Sequence, residues 1–150
     1  MRDKDLRGFD GVWKVAAEGG SAVRLTKKGR YDPQESADGT RVFYVVGDHE
    51  IWSVPTGGGD ERRETIMTTN ASWAPAQGGI YFLNNRFLNN RESRARLTFF
   101  DFATRHVQKV AELEAGFFPG NISVSRDGRT IFCSEIKEIF ADIMLVEGFR

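Results

Sequence analysis

Val12-Trp13-Lys14-Val15-Ala16-Ala17-Glu18-Gly19-Gly20, running on to Arg24-Leu25-Thr26, returns later in the chain as Ile51-Trp52-Ser53-Val54-Pro55-Thr56-Gly57-Gly58-Gly59, running on to Arg63-Glu64-Thr65. Trp13 and Trp52, like Thr26 and Thr65, stand 39 residues apart. An apolar couplet with Trp, a glycine turn and a strand ending in Thr are thus two copies of one unit, and a period in this range means a repeat architecture.

A second marker recurs. Ser36-Ala37-Asp38-Gly39-Thr40-Arg41-Val42-Phe43 matches Ser125-Arg126-Asp127-Gly128-Arg129-Thr130-Ile131-Phe132, with an Asp-Gly pair ahead of an apolar run each time. Asp-Gly supplies the positive backbone dihedrals of a tight hairpin. Gly78-Gly79-Ile80-Tyr81-Phe82 holds the corresponding place between them. Phe99-Phe100-Asp101-Phe102 and Ile143-Met144-Leu145-Val146 stand where Ile51-Trp52-Ser53-Val54 would be.

The third strand of each unit starts at Val12, Ile51, Phe99 and Ile143, at spacings of 39, 48 and 44. Units of roughly 40 to 45 residues built only from strands are what a propeller blade requires, whereas helical repeats need amphipathic stretches of period 3.6. None is readable. The apolar runs Val42 to Val46, Ile80 to Leu83, Leu97 to Phe102 and Ile143 to Val146 are nearly continuous, as suits strands covered on both faces. The expected fold is all-β, a propeller fragment of about three four-stranded antiparallel blades. It is one partial propeller over residues 1–150, divided as 10–27, 30–66, 70–113 and 116–148. That makes about thirteen strands, the last at Ile143 to Val146. Asn84 to Arg94 reads as a polar, mobile surface loop.

Forty per cent hydrophobic and 12% aromatic residues supply a core. The 21 acidic and 21 basic residues cancel, which argues against a broad field for nucleic acid or a membrane surface. No apolar stretch approaches the roughly 18 residues of a membrane span. The charged opening Met1-Arg2-Asp3-Lys4-Asp5 favours the cytoplasm for the chain as given, with the periplasm as the alternative. The single Cys133 excludes an internal disulfide, and its place in Ile131-Phe132-Cys133 predicts a small buried hydrophobe.

The Trp couplet with its Gly-Gly turn and Leu-Thr ending, together with Ser-x-Asp-Gly before a β-run, resembles the repeat of the TolB-like β-propeller family across most of residues 10–148. Ala141 to Arg150 is similar to the end of propellers appended to bacterial transcriptional regulators and protein kinases, which implies a natural C-terminus. The chain departs from the family at Ala76-Gln77-Gly78-Gly79, which replaces Ser-x-Asp-Gly, and in its length. Closed propellers usually hold about four to eight blades, because each blade hides its faces only against two neighbours. The exposed flanks of a shorter arc call for upstream blades or for a second copy of the chain, whose Ala22 to Thr26 strand would add to a three-stranded C-terminal blade to give about six blades.

Catalytic constellations are sparse. His49 lies in Gly47-Asp48-His49-Glu50 and His106 beside a turn; both read as solvated, and neither has metal-ligand spacing or paired Cys ligands nearby. No Gly-x-Ser-x-Gly elbow occurs. Gly57-Gly58-Gly59 lacks the Lys-Ser/Thr and helix of a phosphate cradle and reads as a strand connection. Neither a catalytic nor a metal site is assigned, and no cofactor is expected. The candidate binding residues are Arg86, Arg91, Arg94 and Arg96, set among Asn84, Asn85, Asn89 and Asn90, where guanidiniums would grip phosphates or a partner's acidic surface, with the zero net charge arguing against nucleic acid. Trp13, Trp52, Asp38, Gly39, Asp127 and Gly128 are the structural markers of the repeat, with the Trp residues expected between blades. The functional expectation is a non-catalytic propeller that binds a protein or small ligand. The alternative is the substrate-gating propeller of a prolyl-oligopeptidase-type serine peptidase.

Overall fold

A computed structural model describes residues 11–27, 31–47, 49–66, 72–88, 92–113 and 122–134. Among them are twelve strands and no helix: β1 (Trp13–Lys14), β2 (Val23–Arg24), β3 (Tyr31–Glu35), β4 (Arg41–Val46), β5 (Glu50–Pro55), β6 (Arg62–Ile66), β7 (Ser72–Ala76), β8 (Gly79–Leu88), β9 (Glu92–Asp101), β10 (Val107–Leu113), β11 (Ile122–Val124) and β12 (Ile131–Cys133). The expected strand at Ile143 to Val146 lies outside the described residues. The strands form four antiparallel sheets, each a meander in chain order: β1-β2, β3-β4-β5-β6, β7-β8-β9-β10 and β11-β12. The chain is all-β, with the layout of a partial propeller.

Three apolar clusters hold the sheets in series. Val12 and Leu25 pack with Tyr44 and Val54 between the first two sheets. Phe43, Val45 and Ile51 meet Trp73, Ile80, Phe82 and Phe100 between the second and third. Leu83, Ala95 and Leu97 meet Ile122 between the third and fourth, with Val124 and Ile131 against them. Successive side chains of a strand point to opposite faces. Tyr44 therefore goes to one cluster and its neighbours Phe43 and Val45 to the other, which is why Val42 to Val46 carries no polar alternation. Full burial of one such side chain is worth about 1.5–3 kcal/mol.

The sequence repeat is a repeat of register. Trp13 pairs with Arg24 and Lys14 with Val23; 39 residues on, Trp52 pairs with Arg63 and Ser53 with Arg62. Glu35 pairs with Val42 and Gln34 with Phe43, and their counterparts Val124 with Ile131 and Ser123 with Phe132. The glycine turns match too: Gly19 and Gly58 donate to the carbonyls of Ala16 and Pro55 at 2.9 and 2.8 Å.

Three expectations need correction. Asn84 to Arg94 is not simply a loop, because β8 runs to Leu88 and β9 starts at Glu92, paired residue for residue. Backbone pairing needs no apolar side chain, so polar composition hid a ribbon that continues past the reach of β7, whose pairing with β8 ends at Leu83. The Asp-Gly turns are not two positive dihedrals in a row: Gly39 and Gly128 have φ of 70° and 72°, whereas neither Asp38 nor Asp127 has a positive φ. Cys133 is exposed rather than buried, because among the described residues β12 has a neighbour only on one side.

Candidate functional site

The connections from first to second strand, Ser36 to Arg41, Gln77-Gly78 and Ser125 to Thr130, fall at the same end of three successive sheets. In each four-stranded sheet the turn after the third strand reaches across to this end: Thr56 N–H donates to the Thr40 carbonyl and Phe102 N–H to the Gly78 carbonyl, both at 2.9 Å. Between these turns opens a cleft of about 560 Å³. Glu35, Arg41, Arg62 and Arg126 line it with Phe43 and Phe102, whose rings stack at 5.6 Å.

The two Ser-x-Asp-Gly turns share one set of Ser, Asp and backbone bonds, to which the Thr40 hydroxyl adds one more at Asp38. Ser36 Oγ donates to Asp38 Oδ1 and Ser125 Oγ to Asp127 Oδ1, both at 2.6 Å. The same aspartates accept the backbone N–H of Thr40 and Arg129 at 3.0 and 3.1 Å. The Ser oxygens accept the N–H of Arg41 and Thr130 at 3.0 and 2.9 Å. The Ser36 hydroxyl, followed by the Thr40 N–H and hydroxyl, holds the Asp38 carboxyl down at about 2. The Ser125 hydroxyl and the Arg129 N–H lower Asp127 in the same way. Each Asp therefore serves its own turn. Its short side chain satisfies the loop backbone while the glycine takes the left-handed position.

Behind the cleft sits Glu64, whose side chain is fully buried. Its Oε1 accepts Ser53 Oγ at 2.5 Å and Arg62 Nη2 at 2.8 Å. Arg105, on the turn after β9, reaches across from the next sheet to Glu64 Oε2 at 3.5 Å and also donates to the Glu64 carbonyl. Arg41 Nε donates to Ser53 Oγ at 2.9 Å. The Glu64 carboxylate thus pairs with two guanidiniums, Arg41 reaches it only through Ser53, and Arg41 and Arg62 both contribute positive charge to the wall of the cleft. Sequence reasoning missed Glu64 and Arg105. They lie 41 residues apart, and the only local signal was a lone Glu among strand residues.

Of the candidate arginines, Arg86, Arg94 and Arg96 belong to the β8–β9 ribbon, where register places Arg86 opposite Arg94 and Arg96 opposite Asn84; Arg96 is not among the residues that line the cleft, and Arg91 falls outside the described residues. Trp52 packs against the cluster between the first and second sheets, whereas Trp13 is 47% exposed. His49 and His106 are both exposed, and no group of His, Cys, Asp or Glu fit to hold a metal occurs among the described residues. No described helix is long and apolar enough to cross a membrane.

Compared with known protein families and with curated proteins, the chain matches none. The functional reading rests on the geometry of the cleft.

Proposed function

We propose that the chain is a non-catalytic binding module of the TolB-like propeller kind, and that its ligand is a peptide segment carrying a carboxylate and an aromatic side chain. The observation behind this is the cleft itself: stacked Phe43 and Phe102 offer an apolar floor, and Arg41, Arg62 and Arg126 outnumber Glu35 and Asp38 around it. Concave apolar floors with a few placed polar groups are the usual form of a ligand site. Guanidiniums bind carboxylates by paired, charge-assisted hydrogen bonds. Both Asp38 oxygens need not be free for this, since its carboxylate belongs to the turn.

Fluorescence polarisation with a labelled acidic peptide bearing one phenylalanine tests the reading. Arg126 is exposed on its turn, so Arg126→Glu leaves the fold intact and weakens binding about tenfold or more, in line with loss of a charge-assisted contact. The peptide is recovered uncleaved. Equal binding of a lysine-rich control peptide, indifference to Arg126→Glu, or cleavage of the peptide would overturn the assignment.

A further inference from the structure

The two outer sheets are unequal halves of the repeat. β1–β2 reproduces the register of β5–β6, the third and fourth strands of a sheet, and β11–β12 reproduces that of β3–β4, the first and second. Each half also has one face covered and one open, and the open faces are opposite. Trp13 and Val15 correspond to Trp52 and Val54, which face the preceding sheet; in the first sheet they are 47% and 60% exposed. Phe132 corresponds to Phe43, which faces the following sheet; at the other end of the series it is 59% exposed.

From this complementarity we infer that a second copy of the chain completes the fourth sheet: β1 of one copy pairs antiparallel with β12 of the other, and the joined order β11-β12-β1-β2 repeats β3-β4-β5-β6. The inference concerns another surface than the cleft and stands or falls apart from it. The pairing of β4 with β5 supplies the register. Tyr44 opposite Trp52 and Phe43 opposite Ser53 become Cys133 opposite Trp13 and Phe132 opposite Lys14 of the second copy. Ile131 and Val12 already face the sheets they would face in the joined blade, so neither half turns over. Trp13 then lands on the third sheet of one copy and Phe132 on the second sheet of the other, and both open faces close at once.

Each copy contributes two complete sheets and two halves, so two copies make about six blades, within the range of about four to eight in which propellers close. The contact is head-to-tail, and a two-fold axis along the central channel closes it into a ring. Within each chain the same kind of interface already exists three times, between consecutive sheets.

The native Cys133 makes the register measurable. Residues directly opposite in an antiparallel pair have Cα atoms about 4.5–5.5 Å apart, inside the roughly 4.4–6.8 Å that a disulfide spans. Under mild oxidation Trp13→Cys should form a disulfide between positions 13 and 133 of different chains, seen as a doubled mass on non-reducing gels and as the linked peptide by mass spectrometry. It is lost when Cys133→Ser is added. Lys14→Cys, one step along and on the opposite face, should not cross-link. Sedimentation provides a measurement that needs no cysteine: the unaltered chain at micromolar concentration runs at twice its mass, and Phe132→Glu, exposed in a single chain, returns it to one. A single-copy unaltered chain, or equal cross-linking of Lys14→Cys, overturns the inference. So does an unreacted Trp13→Cys chain that remains folded, as when the chain's own Ile143 to Val146 occupies the β12 edge.

Discussion

Replacing Glu64 by Ala tests the claim that a buried carboxylate ties consecutive sheets together. The magnitude follows from what each partner loses. Ser53 is fully buried and would keep only the bond it accepts from Arg41 Nε. Its hydroxyl proton is orphaned, at a cost of about 1–3 kcal/mol. Arg62 and Arg105 are 63% and 53% exposed at their side chains, so water takes up their charge and each lost ion pair costs only about 0–1 kcal/mol. The total is about 3 kcal/mol, most of it from Ser53 and little from the arginines. Urea denaturation should therefore show a lower midpoint at unchanged slope. The double variant Glu64→Ala with Ser53→Ala should recover part of the loss, since no buried hydroxyl is then left unpaired. Arg105→Ala alone should cost less, about 1–2 kcal/mol, because it gives up a screened pair, a half-exposed bond to the Glu64 carbonyl and its place 5.0 Å above the Phe100 ring. A Glu64→Ala loss below about 0.5 kcal/mol, the size expected of an ordinary surface change, would refute the reasoning. An Arg105→Ala loss larger than that of Glu64→Ala would do the same.

Two further perturbations read other parts of the fold. A Cβ at Gly79 would lie 2.2 Å from the Phe100 carbonyl oxygen, and backbone cannot swing away, so Gly79→Ala should cost about 1–3 kcal/mol or more. Gly57→Ala, which meets open space, should stay within about 0.5 kcal/mol; equal urea midpoints for the two would contradict the close approach of β8 and β9. The turn aspartates predict acid sensitivity. The Asp38 carboxyl titrates near 3.8 when unconstrained and at about 2 in the folded chain, so the folded state favours the ionised form. Its contribution is complete above the higher value and is lost as pH falls from there towards the lower. Asp38→Asn with Asp127→Asn should flatten the fall of thermal midpoint across that window, and an unaltered slope would remove the turns as its source.

The turns were legible because their information is local. Ser36, Asp38 and Gly39 satisfy one another within a few residues, so the same letters at Ser125, Asp127 and Gly128 rebuild the same bonds. Asn84 to Leu88 was not legible, since a ribbon held by backbone pairing imposes no apolar pattern on its side chains. The cleft was not legible either: its walls come from turns far apart in sequence, and no periodicity reports which guanidinium stands beside which ring.

By itself the sequence determined the unit, its order of strands and the places of its glycine turns, because apolar runs and short turns are properties of neighbouring residues. Tertiary structure alone decided which faces are covered. Val42 to Val46 and Ile131 to Cys133 are both apolar runs, yet one is sandwiched between two sheets and the other leaves Phe132 in solvent. Burial depends on what stands opposite, and for the outermost sheets that lies beyond the reach of the strand's own residues.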